Sequence, residues 1–287
     1  MSVAYNTTLT NTIIPKWDMD LMKALYATAV IMPLVANKSS FVAKEGDRVE
    51  INIEPTLSVG TVTPATGAFT PSDSAPTKVN IQCNIWEYVS ESITDMARVQ
   101  AFWTAENNFA SNAGKAFAAQ YDGVLGALFA SINGLDAVGS TTEPDAFSAE
   151  MATSALLNLV DANVPQTKLS WVLSPRAFLK GWLKDSNIVA AQSAGTPQSA
   201  LITGKKTDIL GHPCYQSTKL TTTSGLYTTC ALLHKDALGI AMQQNARYQL
   251  ANNVSAGALT HTAVCDSLYG TAVIRSNHGV RMYVKSS

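Results

Sequence analysis

The chain has 287 residues, enough for one large or two ordinary domains, and its formal net charge is −1. A balance this near neutral argues against a binder that reads nucleic acid through a basic patch or stripe. Only 14% of residues are charged against 46% apolar, where a soluble domain usually carries about 25% charged residues, and since interface cores are depleted in charge the shortfall points to surface covered by other chains.

The N-terminal stretch, Met1 to Asn11, is polar and lacks the basic segment and apolar core of a secretory signal. Pro15 then leads into a short helical pattern through Trp17, Leu21, Leu25 and Ala29 that ends at Pro33. Both prolines sit where a helix tolerates the ring. The longest apolar window, Ala24 to Ala36, is interrupted by Pro33 and is too short to span a bilayer. Asp18 and Asp20 are two residues apart, so they do not share a helix face for joint acid–base work. Residues 1–45 read as an arm that packs on the rest of the chain or on a neighbour.

The most informative stretch follows. Val49, Ile51 and Ile53 alternate with Glu50, Asn52 and Glu54, and Val79, Ile81, Cys83 and Ile85 alternate with Asn80, Gln82 and Asn84. Both runs have the period of a half-buried strand. Thr61 to Thr77 between them is rich in Thr, Pro, Ser and Gly and reads as a loop. A lone two-stranded ribbon is marginal in water. This hairpin therefore needs a covering surface, and a second copy of the chain is the natural one.

Ser92, with Asp95 three residues later, matches a capping box. Ile93, Met96, Phe102, Phe109, Ala113, Phe117, Tyr121, Val124, Leu128 and Ile132 then recur near helical spacing. The pattern predicts a helix of about 40 residues, roughly 60 Å long at 1.5 Å per residue. Gly114, Gly123 and Gly126 make a break near Gly123 the alternative, giving two shorter helices.

Gly134 to Asp145 is a connector. Phe147, Met151, Leu156, Leu159 and Val160 share a helical side, closed by Asn163 and Pro165. Leu169 to Leu173 reads as a buried strand. Ser174-Pro175 fits a helix start, with Ser at the N-cap and Pro in the first turn, ahead of Phe178, Leu179, Trp182 and Leu183. Residues 185–208 read mostly as loop. Ile209-Leu210, Tyr227 to Leu233, Thr271 to Ile274 and Val280 to Val284 are strand candidates, and Ala237 to Ala241 fits either helix or strand. The coarse picture is an α+β body with extended appendages.

Chemistry is thin. Lys205 and Lys206 follow Gly204 without the glycine spacing of a phosphate-binding loop. His212, His234, His261 and His278 lie in no motif that pairs a nucleophile with an orienting acid. Cys83, Cys214, Cys230 and Cys265 are far apart, and His212 two residues before Cys214 is the nearest approach to a metal-ligand pair. Scattered reduced thiols are expected, and no catalytic residue, cofactor or metal site. Trp86, Trp103, Trp171 and Trp182 read as core or interface anchors.

The order of arm, hairpin, long helix, mixed domain and return strand resembles the major capsid proteins of tailed bacteriophages, the Hong Kong 97-type shell fold. "GDRVEINI" at Gly46–Ile53 is similar to the start of that family's E-loop, and "VNIQCNIWEYVSESITDMA" from Val79 to its exit into the spine helix. "WVLSPRAFLKGW" at Trp171–Trp182, "DILGHPCYQS" at Asp208–Ser217 and "LYGTAVIRSNHGVRMYV" from Leu268 resemble steps of its central and closing segments. The resemblance implies a Hong Kong 97-like fold with N-arm, extended β-hairpin E-loop, long spine helix, and peripheral and axial domains. It divides the chain into 1–45 (arm), 46–90 (E-loop hairpin), 91–145 (spine helix and part of the peripheral domain), 146–260 (axial domain with part of the peripheral domain) and 261–287 (return strands).

It also implies an icosahedral shell of hexamers and pentamers around a double-stranded DNA genome, held without sequence-specific contact. Val49, Ile51, Ile53, Val79, Ile81 and Ile85 are then the expected inter-subunit contacts. Expected partners are scaffolding and portal proteins and a decoration protein, with no membrane. The arm begins almost at Met1, so scaffolding is expected from a separate protein or from none. The expected location is the virion capsid, assembled in the host cytoplasm. An encapsulin-like compartment enclosing protein cargo shares the fold and is the alternative; a secreted β-rich binding protein and an unrecognised hydrolase are rivals from other classes.

Overall fold

The computed structural model describes residues 29–42, 47–55, 57, 59–62, 66–67, 75–96, 105–132, 139–185, 208–253 and 259–286. The helical pattern from Trp17 to Leu25, Asp18, Asp20, Trp103, Lys205 and Lys206 lie outside them. In chain order the strands are β1 (Ala36–Asn37), β2 (Arg48–Ile53), β3 (Thr77–Gln82), β4 (Ile85–Thr94), β5 (Leu169–Leu173), β6 (Cys214–Gln216), β7 (Thr222–Thr223), β8 (Tyr227–His234), β9 (Leu238–Asn252), β10 (Thr260–Val273) and β11 (Gly279–Lys285). The longer helices are α1 (Ala105–Ala127) and α2 (Ala149–Asp161).

Three sheets form among the described residues. One has the order β1-β9-β10-β4, the second β11-β8-β5-β6 with β7 on β8, and the third is the hairpin β2-β3. The hairpin register sets Val49 opposite Ile81 and Ile51 opposite Val79, so the apolar alternation of both runs falls on one face. The second run stops sooner than its alternation suggests. Cys83 and Asn84 belong to no strand, and Ile85 opens β4 in the first sheet.

The expected helix start at Ser92 is overturned. Ser92 lies in β4 opposite Thr262, with Ile93 opposite His261 and Thr94 opposite Thr260. The ladder to β10 serves the backbone groups that a cap would otherwise satisfy, so the Ser-x-x-Asp match carries no helix. Asp95 and Met96 are helical, 97–104 lie outside the described residues, and α1 is one unbroken helix of 23 residues. At 1.5 Å per residue it spans about 35 Å. Gly114 and Gly123 do not break it. Ala113, Phe117, Tyr121 and Leu125, at four-residue spacing, are buried; after Ala127 the chain tightens into a 3-10 turn, Leu128–Ser131, that buries Phe129.

α1 lies on one face of the first sheet. Tyr121 and Tyr269 meet edge to face with ring centroids 4.8 Å apart. The Tyr121 hydroxyl donates to Ser267 Oγ at 2.8 Å, and the Tyr269 hydroxyl donates to Glu87, which also accepts from Gln120 of α1. Burial, with Glu87 beside it, pushes the Tyr269 hydroxyl far above its ordinary pKa, so it stays a donor.

α2 packs on the second sheet. Ser148 Oγ accepts from Met151 N at 3.2 Å as its N-cap, and Asn163 adopts a left-handed conformation (φ 53°) just past its end. Ser174 Oγ accepts from Ala177 N at 3.1 Å, the cap expected at Ser174-Pro175, although the turn that follows, Ala177–Gly181, is π-helical. Trp171 and Trp182 are buried around Phe147, and the Trp171 indole donates to the Ile209 carbonyl at 2.9 Å. Ile209-Leu210 forms a turn closed by a bridge to His212 rather than a strand. Leu238 to Ala241 opens β9, just after a turn that ends at Ala237, and Thr271 to Val273 closes the much longer β10, with Ile274 just beyond it. After the passage from β4 through α1 and α2 to β5, the chain goes directly from one large sheet to the other at two adjacent crossings, β8 to β9 and β10 to β11.

Candidate assembly interface

The hairpin seats its apolar side on the face of the first sheet opposite α1. The platform there is made of small residues: Gly270 pairs with Ala241, and Ala272 with Gly239. Val49, Ile81 and Cys83 bury against Ala36, Ala241 and Ile274, with Ile51 and Ile53 packed at the margin. Of the six residues expected to contact a neighbour, Val49 and Ile81 are buried within the chain, and Ile51, Ile53, Val79 and Ile85 are half-buried, Ile85 against the main core. The hairpin's other side is polar. Glu50 sits between Arg48 (3.3 Å) and Lys78 (3.7 Å). Beyond the strands Leu57, Val59 and Val62 stand exposed, Val59 completely.

Only part of the sheet face opposite α1 is covered by the hairpin. The open part carries two aromatic side chains of β4, Trp86 and Tyr88, each 72% exposed. Trp86 is held in place. Its indole N–H donates to Asp266 Oδ2 at 3.1 Å, and the same buried carboxylate accepts from Gln244 (2.9 Å) and, in a bidentate pair, from Arg247 Nε (2.7 Å) and Nη2 (3.0 Å). Between Arg247 and Met242, β9 carries two extra residues relative to β10. Such bulges sharpen the local twist and re-aim side chains. The result is an exposed tryptophan with a fixed ring orientation, beside a tyrosine and an arginine. Those three residue types dominate binding hot spots. The sequence offered Trp86 as an anchor but did not place it at the surface, and nothing local marked Asp266 or Arg247.

The hydrogen bonds from Arg247, aided by those from Trp86 and Gln244, pull the Asp266 carboxyl down to about 2. A depressed carboxylate stabilises the fold above its unfolded pKa of about 4, and that contribution is lost as pH falls through about 2. Arg247→Met is therefore expected to lower the urea midpoint at about pH 5 and to matter progressively less as pH drops below about 4. An effect as large below about pH 4 as at about pH 5 would show that the pair does not carry this dependence.

The histidines do not converge. His212 closes the Ile209 turn, His261 lies 2.8 Å from Asp95, and His234 and His278 adjoin each other at the sheet crossings. Among the described residues no group of three or more His, Cys, Asp or Glu is placed to hold a metal ion. All four cysteines are buried; burial raises Cys83 and Cys265 and pushes Cys230 up to about 12. None is poised as a nucleophile. Among the described residues no helix is long and apolar enough to cross a membrane.

The fold is that of phage capsid proteins, an α+β architecture shared over almost the whole chain. A structure of Mycobacterium phage Che8 superposes with a TM-score of 0.73 at 20% identity, covering 89% of this chain and 91% of that one. The capsid structure of the cyanophage P-SCSP1u gives 0.70 at 14% identity over 100% and 93% of the two chains. The mature capsid of bacteriophage PhiM1 gives 0.69 at 12% identity over 91% and 88%. No family model and no curated protein matches the sequence.

Proposed function

We propose that this chain is the major capsid protein of a tailed phage, with a structural rather than a catalytic role. Its copies tile as hexamers and pentamers into an icosahedral shell around double-stranded DNA. The observation that carries the reading is the match to phage capsid structures across nearly the full length of both partners. Those neighbours favour a genome shell over an encapsulin-like compartment. In Hong Kong 97 terms β2-β3 is the E-loop, α1 the core of the spine helix, the β1-β9-β10-β4 sheet the peripheral domain and the β11-β8-β5-β6 sheet the axial domain. The virion capsid is the location, and assembly takes place in the host cytoplasm. Scaffolding, portal and decoration proteins belong to the same proposal as further partners.

Two unlike surfaces of one chain, joined head to tail, close into rings. The hairpin end with Leu57, Val59 and Val62 supplies one such surface, and the open sheet face with Trp86 and Tyr88 supplies the other. Val49, Ile51, Ile53, Val79 and Ile81 serve this contact by fixing the hairpin's base and continuing its apolar side toward the neighbour, and Ile85, packed against the main core, by anchoring the start of β4.

Electron microscopy and light scattering of the purified protein test the reading. Closed shells, or rings of five or six subunits, are expected. The double variant Trp86→Ser, Tyr88→Ser is expected to keep its circular dichroism spectrum but lose assembly, since hot-spot truncations cost about 2 kcal/mol or more each. A wild-type protein that stays monomeric even with crowding agent or a co-expressed scaffold would count decisively against the proposal.

A further inference from the structure

The two crossings between the large sheets run side by side. Ile274 N and Arg275 N both donate to the Ala237 carbonyl, at 2.9 and 3.1 Å, so the crossings are tied to each other. Each carries a histidine at the junction. His234 ends β8 and is buried; His278 closes the 3-10 turn Ser276–His278 before β11 and is half-buried. Their rings meet edge to face, with centroids 5.4 Å apart and planes at 79°.

The geometry points to an acid-sensitive clasp: His278, packed on the His234 ring, holds the junction of the two sheets while it is neutral, and protonation of His278 loosens it. His234 Nδ1 accepts the Asp236 backbone N–H at 3.2 Å, which fixes the ring that His278 packs on. His278 Nδ1 is shielded and has no hydrogen-bond partner among the described residues, so a proton added there is a buried charge without an acceptor.

The charged groups that bear on the pair lie on both crossings. Arg275, on the His278 side, opposes a further positive charge, and Asp236, 3.8 Å from His234 Nδ1, offsets part of that opposition. The wall next to them is apolar, with Ile132 and Leu233 packed at Gly279. Burial above all, then Arg275 and His234, holds His278 below its ordinary value of about 6.5. The closed junction therefore binds fewer protons than the open one, and its stability falls as pH drops through about 6.5. The clasp is a property of the single chain and stands or falls independently of shell assembly.

Hydrogen–deuterium exchange, corrected for intrinsic rates, tests it at about pH 7.5 and about pH 5.5, the range over which histidine changes charge. Peptides spanning 234–239 and 274–280 are expected to lose protection several-fold at the lower pH, while β5 keeps its protection. His278→Gln is expected to flatten that difference, with His278→Asn as the second variant where glutamine does not fit. Equal protection at both pH values in the wild type, a loss spread equally over β5, or a loss unchanged in both variants would overturn the clasp.

Discussion

Alanine at Gly270 is expected to lift the hairpin from the body and, with it, to abolish the assembly proposed above. A Cβ at this position would lie 2.0 Å from the Gln82 carbonyl oxygen, 2.6 Å from its carbon and 3.0 Å from Cys83 N. All three atoms are backbone, at the point where β3 crosses the sheet, so no rotamer change relieves the clash. Overpacking that side chains absorb costs typically about 1–3 kcal/mol, and a backbone clash sits at or above the top of that range. Gly239 is the internal control. A Cβ there meets Ile274 Cδ1 at 2.7 Å and Ile81 Cδ1 at 2.8 Å, both ends of flexible side chains, so Gly239→Ala should cost less. Cys83 provides the readout. It is buried under the hairpin and its thiol donates to the Ala241 carbonyl at 3.6 Å. In Gly270→Ala, Cys83 should become open to a maleimide while Cys230 stays closed. A variant with unreactive Cys83 and wild-type shells would show that the platform tolerates a methyl group and that the hairpin is not seated as described.

The hairpin was legible because strand alternation is a local signal. Val49-Ile51-Ile53 and Val79-Ile81 announce one apolar face each, and the Thr/Pro/Ser/Gly stretch between them announces the connection. α2, β5 and the Ser174 cap were legible for the same reason, since each is specified by residues within a few positions of itself. β4 was not. Its last residues, Ser92 to Thr94, together with Asp95 just beyond it satisfy a helix-start pattern, and what decides against it is a ladder to Thr260–Thr262 from far along the chain. β9 was visible only at its first residues because Gln243 to Arg247 interrupt the alternation just where the two bulges fall. An open sheet face needs no apolar residues, so a long strand with one open face leaves a weak trace. Gly270 and Asp266 were invisible for a further reason. What each requires is a partner more than 15 residues away, and a single sequence holds no record of that partner.

Asp122→Ala is expected to destabilise the fold by about 3–5 kcal/mol, because it strands three backbone donors under the surface. Asp122 lies on the buried side of α1, 1% exposed, between Tyr121 and Val124. Its Oδ2 accepts from Val30 N at 2.6 Å, and its Oδ1 accepts from Ile31 N at 2.9 Å and Met32 N at 3.2 Å. These amides open the 3-10 turn Met32–Leu34, so the carboxylate acts as a cap supplied from a different element. The turn leads straight into β1, where Ala36 pairs with Gly239 and Lys38 N donates to the Ile240 carbonyl at 2.8 Å. Ser39 Oγ accepts from Met242 N at 2.9 Å just beyond. One carboxylate thus fixes where the N-terminal segment meets the helix and, through β1, how it straps the edge of the first sheet. Asp122→Asn separates charge from shape. It keeps one acceptor oxygen but turns an NH2 group toward a backbone N–H, and should cost about 1–3 kcal/mol. Urea midpoints order the three proteins, and hydrogen exchange should show amides 30–32 and 36–39 losing protection before β5 does. Stability of Asp122→Ala within about 0.5 kcal/mol of wild type, the range of ordinary surface substitutions, would mean that water replaces the carboxylate and that the segment is held by its apolar contacts alone.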